Sequence, residues 1–200
     1  MRTAVDGGAS HVGLVFYPLS PRAVTPAQAA ELARTVPETV SRVGLFVDPT
    51  DTEIDAVLAK APLELLQLHG NEAPTRVAEI RRRTGLKTMK VISVADESDF
   101  ACANTYLDVA DWLMFDAKPP KNMANALPGG NALSFEWRLL NGRSWNLPWM
   151  LAGGLDVGNV GDAVHLSGAA VVDTSSGVED EKGKKNPEKI RAFLNAVSSL

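Results

Sequence analysis

Short apolar segments alternate with amphipathic ones along most of the chain. Seven of the apolar segments are rich in aliphatic and β-branched residues, and most of these are nearly continuous runs, a pattern typical of parallel strands covered on both faces. They lie at residues 12–16, 43–47, 65–68, 89–94, 112–115, 149–152 and 170–173. The pattern therefore predicts a parallel sheet of about seven strands.

The segments between the strands carry the start signals of helices. Thr25 has the position of an N-cap, with Pro26 at the first helical position and Gln28 as its capping-box partner. Thr50 and Glu53 repeat the capping box. Further helices are predicted at residues 74–83, 97–107, 135–140 and 157–166 and after Asn186. Strict alternation of strands and helices is typical of an α/β fold.

This alternation leaves two architectures, a doubly wound open sheet and an eight-stranded TIM (β/α) barrel. Neither glycine-rich fingerprint of the nucleotide-binding open sheets follows the early strands, which favours the barrel. The barrel is one strand short, because another β/α unit needs roughly a dozen residues, and residues 3–8 have the pattern of a helix end followed by glycine. We therefore expect one domain over residues 1–200, a (β/α) barrel truncated to about seven parallel strands, with its first strand absent.

Composition narrows the classes of function. Hydrophobic residues make up 45% of the chain, enough for a core, and a net charge of −4 with three histidines excludes the basic surface of a nucleic-acid-binding protein. No apolar run approaches the roughly 18 residues of a membrane span, and the first residues lack a secretory signal, so we expect a cytoplasmic protein without a membrane partner. The single cysteine, Cys102, is interpreted as a packing residue within a helix. Histidine spacing and the lack of a C-x-x-C pair indicate no metal site.

The carboxyl ends of barrel strands face the active-site mouth, whatever the reaction. The residues that follow the predicted strands are polar and rich in glycine: residues 17–22, 48, 69–70, 93, 116–118, 153–154 and 173–179. Gly153 and Gly154 end the penultimate strand, and Ser176 and Gly177 follow the last one. Such loops let backbone N–H groups approach an anion, so they predict a phosphate site, although each is also typical of an ordinary turn. The charged run at residues 179–185 is interpreted as a solvated loop.

Three side chains at the strand ends have both a functional and a structural interpretation. Asp116 follows a buried strand, where desolvation favours a general acid, but an N-cap or an ion pair with Lys118 explains it equally well. His69 either polarises a substrate or forms a structural hydrogen bond. Arg22, which Pro21 precedes, either clamps an anion or lies on the surface.

Six motifs at the strand ends occur in a fixed order. They are GLVFYPLSPR at residues 13–22, VGLFV at 43–47, QLHG at 67–70, FDAK at 115–118, LAGGL at 151–155 and DTSSGVE at 173–179. Together they resemble the phosphoribosylanthranilate isomerase family, from Gly7 to the C-terminus. The resemblance implies a (β/α) barrel that is a monomer or a homodimer, uses no cofactor and binds a phosphosugar. The implied reaction is the Amadori rearrangement of N-(5-phosphoribosyl)anthranilate to 1-(2-carboxyphenylamino)-1-deoxyribulose 5-phosphate, a step of tryptophan biosynthesis.

The resemblance also implies roles for individual residues. Asp116 would be the general acid that opens the furanose ring, and Arg22 would lie near the anthranilate carboxylate. His69 and Asp173 would contact the substrate in the same pocket. The residues that would hold the phosphate are Gly153, Gly154, Ser176 and Gly177.

Two departures from the family pattern bear on activity. The family's catalytic base is a cysteine in a Lys-Ile-Cys-Gly segment of the first strand, and these 200 residues contain no such segment. The loop at residues 128–137 also differs from the family's Gly-Gly-Thr-Gly…Phe-Asp-Trp. Three hypotheses stay open: an isomerase whose longer product includes the first strand, a non-catalytic phosphosugar-binding barrel, and an indole-glycerol-phosphate synthase-like barrel. We expect the 200-residue form to be impaired as an isomerase.

Overall fold

Six parallel strands form the main sheet in the computed structural model, which describes residues 1–120, 123 and 127–200. The strands are β1 (His11–Val15), β2 (Ser41–Phe46), β3 (Leu65–Leu68), β4 (Lys87–Val94), β5 (Trp112–Ala117) and β6 (Trp149–Leu151). Each strand pairs in parallel with the next one along the chain. This order is that of a (β/α) barrel, because a doubly wound sheet reverses its strand order at a switch point.

The seventh predicted strand is reduced to a single bridge. Val172 forms a parallel bridge with Leu151 of β6. Leu151 N donates to Val171 O at 2.9 Å, and Leu151 O accepts from Asp173 N at 2.8 Å. β6 offers three residues before the chain turns at Gly153, whose φ is +95°, so the pairing ends early. Of the seven predicted parallel strands, six therefore form the main sheet in the described part of the chain, and the one predicted at residues 170–173 is a single bridge.

Helices connect the strands, as the capping signals predict. They are α1 (Arg2–Asp6), α2 (Pro26–Ala33), α3 (Asp51–Leu58), α4 (Pro74–Thr84), α5 (Phe100–Ala103), α6 (Val160–Ser167) and α7 (Pro187–Ser198). Both predicted capping boxes form, Thr25 with Gln28 and Thr50 with Glu53, each through reciprocal hydrogen bonds. No helix in the described ranges is long and apolar enough to cross a membrane.

Two helices are shorter than the sequence pattern predicts. Residues 97–107 contain α5 between two 3₁₀ turns, and residues 135–140 contain one 3₁₀ turn, Trp137–Leu140. Near the start of the first segment, the Asp99 carboxylate accepts from Ala95 N at 2.8 Å. Local side-chain bonds of this kind compete with a continuous helix.

Apolar side chains pack on both faces of the sheet. The larger cluster lies between the sheet and the helices and includes Phe46, Leu66 and Phe115. A smaller cluster lies on the inner face and includes Leu65 and Met114. Leu65 and Leu66 are neighbours in β3 and therefore point to opposite faces. Burial on both sides explains why the strands read as continuous apolar runs.

The sheet is open between β1 and residues 171–173, and two other contacts span the opening. On the outside, α1 packs against α7, where a side chain on Gly7 would come within 2.6 Å of Leu194 Cδ1. At the carboxyl ends, β7 (Glu179–Glu181) and β8 (Lys184–Lys185) form an antiparallel hairpin. Its turn at Gly183 lies against Pro21, which follows β1. The solvated loop predicted for residues 179–185 is therefore a hairpin, in which residues 180–185 are exposed and Glu179 is buried.

Candidate active site

A cleft of about 670 Å³, including space open to solvent, lies at the carboxyl ends of the strands. Its walls come from the ends of the strands and from the loops that follow them, among them residues 152–155 and 173–176. The polar side chains that line it are Tyr17, Ser20, Arg22, Gln67, His69, Asp116, Asp173, Thr174, Ser175 and Ser176. The structure thus brings the four predicted side chains Arg22, His69, Asp116 and Asp173 into one cavity.

His69 and Asp116 form a buried pair in the cleft. His69 Nε2 lies 3.3 Å from Asp116 Oδ2, with 5% and 9% of the two side chains exposed. His69 Nδ1 lies 3.4 Å from Gln67 Nε2, and Asp116 Oδ1 accepts from Ala117 N at 2.8 Å. His69 Nε2 forms no hydrogen bond with a described protein atom. The pair therefore presents an imidazole edge and a carboxylate to a ligand.

The structural alternatives for Asp116 are wrong. Lys118 Nζ lies 2.6 Å from Asp99 Oδ1, so Lys118 pairs with that residue instead. Asp116 lies within β5 and does not cap a helix. Gln67 has no predicted role, although an amide inside the otherwise apolar strand β3 is a sequence signal that indicates one.

The backbone of the loop that follows β5 covers the His69–Asp116 pair. A side chain at Gly129 would overlap His69 and come within 2.7 Å of Asp116 Oδ2, so only glycine allows the approach. Gly130, with a φ of +71°, lies against Arg22 and accepts from its Nη2 at 3.3 Å. The loop that departs from the family pattern thus contacts the predicted acid and the predicted anion clamp directly.

Arg22 is held by a carboxylate to which sequence analysis gave no role. Arg22 Nε donates to Glu179 Oε1 at 2.7 Å and Nη2 donates to Oε2 at 2.8 Å, with 9% and 4% of the side chains exposed. The surface interpretation of Arg22 is therefore wrong. Burial opposes ionisation of Glu179, but hydrogen bonds from Arg22, Lys185 and Gly183 N outweigh it and lower the pKa of Glu179 to about 2. The position of Glu179 at the end of the sixth motif, residues 173–179, is the sequence signal that indicates a role for it.

Asp173 lies in the same charged environment. Desolvation by the surrounding protein and repulsion from the Asp116 carboxylate raise the pKa of Asp173, and Lys185 and His69 oppose the rise. Because the residue is exposed, we attribute the raised pKa of Asp173 mainly to the repulsion between the two carboxylates.

The two glycine-bearing loops of the predicted phosphate site are in contact. Gly153 and Gly154 have φ angles of +95° and +63°, in the region that favours glycine. Ser176 lines the cleft and begins a 3₁₀ turn. Gly177 lies outside the cleft lining and packs against the backbone of Leu155 in the other loop. The geometry is compatible with an anion between the loops, with Gly177 fixing their spacing.

The described lining of the cleft contains no thiol. Cys102 lies in α5 and is exposed, so its interpretation as a packing residue is wrong. Within residues 1–120, 123 and 127–200, no group of three or more His, Cys, Asp or Glu side chains is arranged to hold a metal ion. The carboxyl, imidazole and phenol groups that share the cleft are those of Asp116, Asp173, His69 and Tyr17.

Comparison with known proteins supports the resemblance. A family model described as N-(5'-phosphoribosyl)anthranilate isomerase matches residues 1–196. The N-(5'-phosphoribosyl)anthranilate isomerase of Paramagnetospirillum magneticum is 58% identical over 197 residues, which cover 98% of this chain and 91% of the relative.

Solved structures agree with the sequence comparison. Phosphoribosyl anthranilate isomerase from Thermotoga maritima is 33% identical with a TM-score of 0.86, covering 99% of this chain and 92% of that one. An isomerase in complex with reduced 1-(o-carboxyphenylamino)-1-deoxyribulose 5-phosphate is 30% identical with a TM-score of 0.82, covering 99% and 92%. A second Thermotoga maritima structure, described as monomers of the dimeric isomerase, is 30% identical with a TM-score of 0.81 and the same coverage. The chain belongs to the phosphoribosylanthranilate isomerase family.

Proposed function

We propose that the chain binds N-(5'-phosphoribosyl)anthranilate in the cleft and isomerises it to 1-(2-carboxyphenylamino)-1-deoxyribulose 5-phosphate, a step of tryptophan biosynthesis. One observation carries the proposal: a carboxyl group, a buried arginine and two glycine-bearing loops line one cavity at the carboxyl ends of parallel strands. The substrate combines a ring oxygen to be protonated, an aromatic carboxylate and a phosphate. The carboxyl group suits the ring oxygen, the arginine suits the aromatic carboxylate, and the two loops suit the phosphate.

Asp116 is the proposed general acid. In its protonated form it donates a proton to the ring oxygen of the ribose, the bond between that oxygen and C1 breaks, and the nitrogen lone pair forms an iminium with C1. A base then takes the proton from C2, and the electrons of that bond form a double bond between C1 and C2. Loss of the C2 hydroxyl proton and protonation of C1 give the ketone, so atoms and electrons balance within the substrate.

The other predicted residues bind and orient the substrate in this proposal. Arg22 takes the anthranilate carboxylate, because a guanidinium forms charge-assisted hydrogen bonds with a carboxylate. His69 Nε2, which is buried and forms no hydrogen bond with a described protein atom, contacts the sugar together with Asp173. The phosphate lies against backbone N–H groups of the two loops at Gly153, Gly154 and Ser176, and Gly177 fixes the spacing of the loops.

A non-catalytic phosphosugar-binding barrel is the second candidate function. No thiol lines the described cleft, although the resemblance assigns the family's base to a cysteine. Binding without turnover fits this observation. The indole-glycerol-phosphate synthase-like alternative has less support, because it needs lysine at the strand ends and Lys118 pairs with Asp99.

One titration and one rate measurement separate these functions. Calorimetry with reduced 1-(o-carboxyphenylamino)-1-deoxyribulose 5-phosphate measures binding, and the loss of substrate fluorescence measures turnover. Binding with turnover supports the isomerase, and binding alone supports the second candidate. Failure of the unaltered protein to bind contradicts both. Asp116→Asn should keep the binding and abolish the turnover.

We also propose a homodimer and a cytoplasmic location, with no nucleic-acid or membrane partner. The Thermotoga maritima relative described as dimeric supports the assembly, as does Leu19, a 74% exposed leucine beside the mouth. Light scattering that gives a monomer mass at micromolar concentration would contradict the homodimer. Cell fractionation tests the location.

A further inference from the structure

Two of the three nitrogens of the Arg22 guanidinium donate hydrogen bonds to the described protein, and the third, Nη1, does not. Nε and Nη2 donate to the two oxygens of Glu179 at 2.7 and 2.8 Å, and Nη2 also donates to Gly130 O at 3.3 Å. Nη1 forms no hydrogen bond with a described protein atom and lies beside Gly130, where a side chain would come within 2.5 Å of it. Because Arg22 lines the cleft, Nη1 is the donor left for a ligand.

Glu179 connects the two free edges of the open sheet. Arg22 follows β1, whereas Glu179 begins β7, after the bridge at Val172. Gly183 N donates to Glu179 Oε2 at 3.1 Å, and Lys189 Nζ of α7 donates to Glu179 O at 2.7 Å. The carboxylate and the backbone of Glu179 are therefore both fixed by groups other than Arg22, so Glu179 can determine where Arg22 lies.

Lys185 keeps this cluster attractive to an anion. Its Nζ lies 2.9 Å from Glu179 Oε1 and donates to Ser175 O at 2.7 Å. Arg22 and Lys185 contribute two positive charges against the one negative charge of Glu179. These three groups by themselves carry a net positive charge, and the Asp173 carboxylate, which interacts with Lys185, lies near them. Ser175 lines the cleft, so Lys185 also links the cluster to the loop proposed to hold the phosphate.

We propose that Glu179 is a positioning residue, which holds Arg22 so that Nη1 meets the aromatic carboxylate of the ligand and gives the cleft its preference for an acidic aromatic group. Glu179 acts through Arg22 and does not touch the substrate. Without Glu179, the guanidinium would keep its charge but sample several rotamers, and fixing it would oppose binding. The loss would fall only on ligands that carry the carboxylate. The inference rests on the function proposed above.

Two ligands test the inference: reduced 1-(o-carboxyphenylamino)-1-deoxyribulose 5-phosphate, and the same compound without its ring carboxylate. In calorimetry, the unaltered protein should bind the first about 10- to 100-fold more tightly, as expected for a charge-assisted hydrogen bond. Glu179→Ala should reduce this preference to within about 3-fold and leave the affinity for the second compound unchanged. Glu181→Gln, an exposed position of the same hairpin, should change neither affinity.

Further variants separate positioning from folding. Arg22→Ala should show the same selective loss, and adding Glu179→Ala to it should cause no further loss, because the two residues act as a unit. Glu179→Asp, which keeps the charge, should recover part of the preference. If circular dichroism shows Glu179→Ala to be unfolded, Glu179→Gln takes its place.

Three results would overturn the inference. Equal weakening of both ligands would show that Glu179 has only a structural role. Tighter binding of the carboxylated compound by the variant would show that Glu179 competes with the ligand for Arg22. An unaltered protein that binds neither compound would contradict the proposed function, and the inference with it.

Discussion

Lys90 Nζ lies 2.6 Å from Glu72 Oε2, and both side chains are almost fully buried beside the strand end that carries His69. Lys90 Nζ also donates to Gly70 O at 2.6 Å. The Glu72 carboxylate accepts from Gly70 N at 3.0 Å and from Asp48 N at 2.9 Å. The ion pair thus fixes the chain directly after His69 and the turn at Asp48, whose φ is +46°. The Lys90–Glu72 pair, which lies outside the cleft, therefore helps to orient His69 inside the cleft.

Lys90→Met should destabilise the fold strongly. It leaves the Glu72 carboxylate buried without its cation, and breaking a buried pair in this way costs about 3–5 kcal/mol. The free energy of unfolding in urea measures the effect. Arg34→Met is the matched control, because the Arg34–Glu31 pair is 74% and 71% exposed and is worth at most about 1 kcal/mol. Equal costs for the two variants would show that the buried pair does not stabilise the fold.

Gly154→Ala should weaken phosphate binding. Gly154 and Gly168 have φ angles of +63° and +74°, so alanine at either position adds about 1–2 kcal/mol of backbone strain. A methyl group at position 154 would come within 2.8 Å of Leu133 O, whereas nothing lies within 4 Å at position 168. We expect the affinity for ribose 5-phosphate to fall about tenfold or more in Gly154→Ala and to be unchanged in Gly168→Ala. Equal affinities in equilibrium titrations of the two folded variants would remove the loop from the phosphate site.

Glu179 should make stability fall at low pH. Its pKa of about 2 in the folded protein lies below the ordinary value of 4.5, so its contribution is fully present above about pH 5 and is lost as the pH falls through the folded-state pKa. A shift of this size corresponds to roughly 3 kcal/mol at most. Between about pH 5 and pH 2, the unaltered protein should therefore lose more unfolding free energy than Glu179→Gln does. Parallel curves for the two proteins in urea would contradict this assignment.

Local signals in the sequence predict the frame of the fold. Thr25 marks a helix start because its capping bonds close within one turn. The apolar run at residues 65–68 predicts β3 because both faces of that strand are covered. The strand-end rule brings His69 and Asp116 together because parallel strands end at the same side of the sheet.

Contacts between distant segments could not be predicted in this way. Arg22 and Glu179 are separated by 157 positions, and neither residue by itself indicates the other. The charged run at residues 179–185 has the composition of a solvated loop, yet its first carboxylate is buried because cations from β1's loop and from β8 neutralise it. Cys102 has apolar neighbours in sequence, but α5 buries Phe100 and Ala103 and leaves Cys102 on its exposed side. Burial in these cases depends on tertiary packing.

Catalysis by a protein of these 200 residues alone should be slow. The rearrangement needs an acid and a base. Asp116 is the proposed acid, whereas no thiol lines the described cleft. A positioned general base is worth about 10²–10⁴-fold in rate. We therefore expect the 200-residue protein to bind the reduced product analogue but to turn over substrate about 10²–10⁴-fold more slowly than its Paramagnetospirillum magneticum relative.

An N-terminal extension distinguishes a lost base from a damaged fold. Adding a strand with Lys-Ile-Cys-Gly should restore turnover, because it supplies the thiol and covers the free edge of β1, which also fixes the placement of the acid. The same extension with serine in place of the cysteine should restore the stability but not the rate. Asp116→Asn in the extended protein should abolish turnover. Ordinary turnover by the 200-residue protein would show that another group is the base. His69→Ala, Asp173→Asn and Tyr17→Phe would then identify it, because these three residues line the cleft with Asp116.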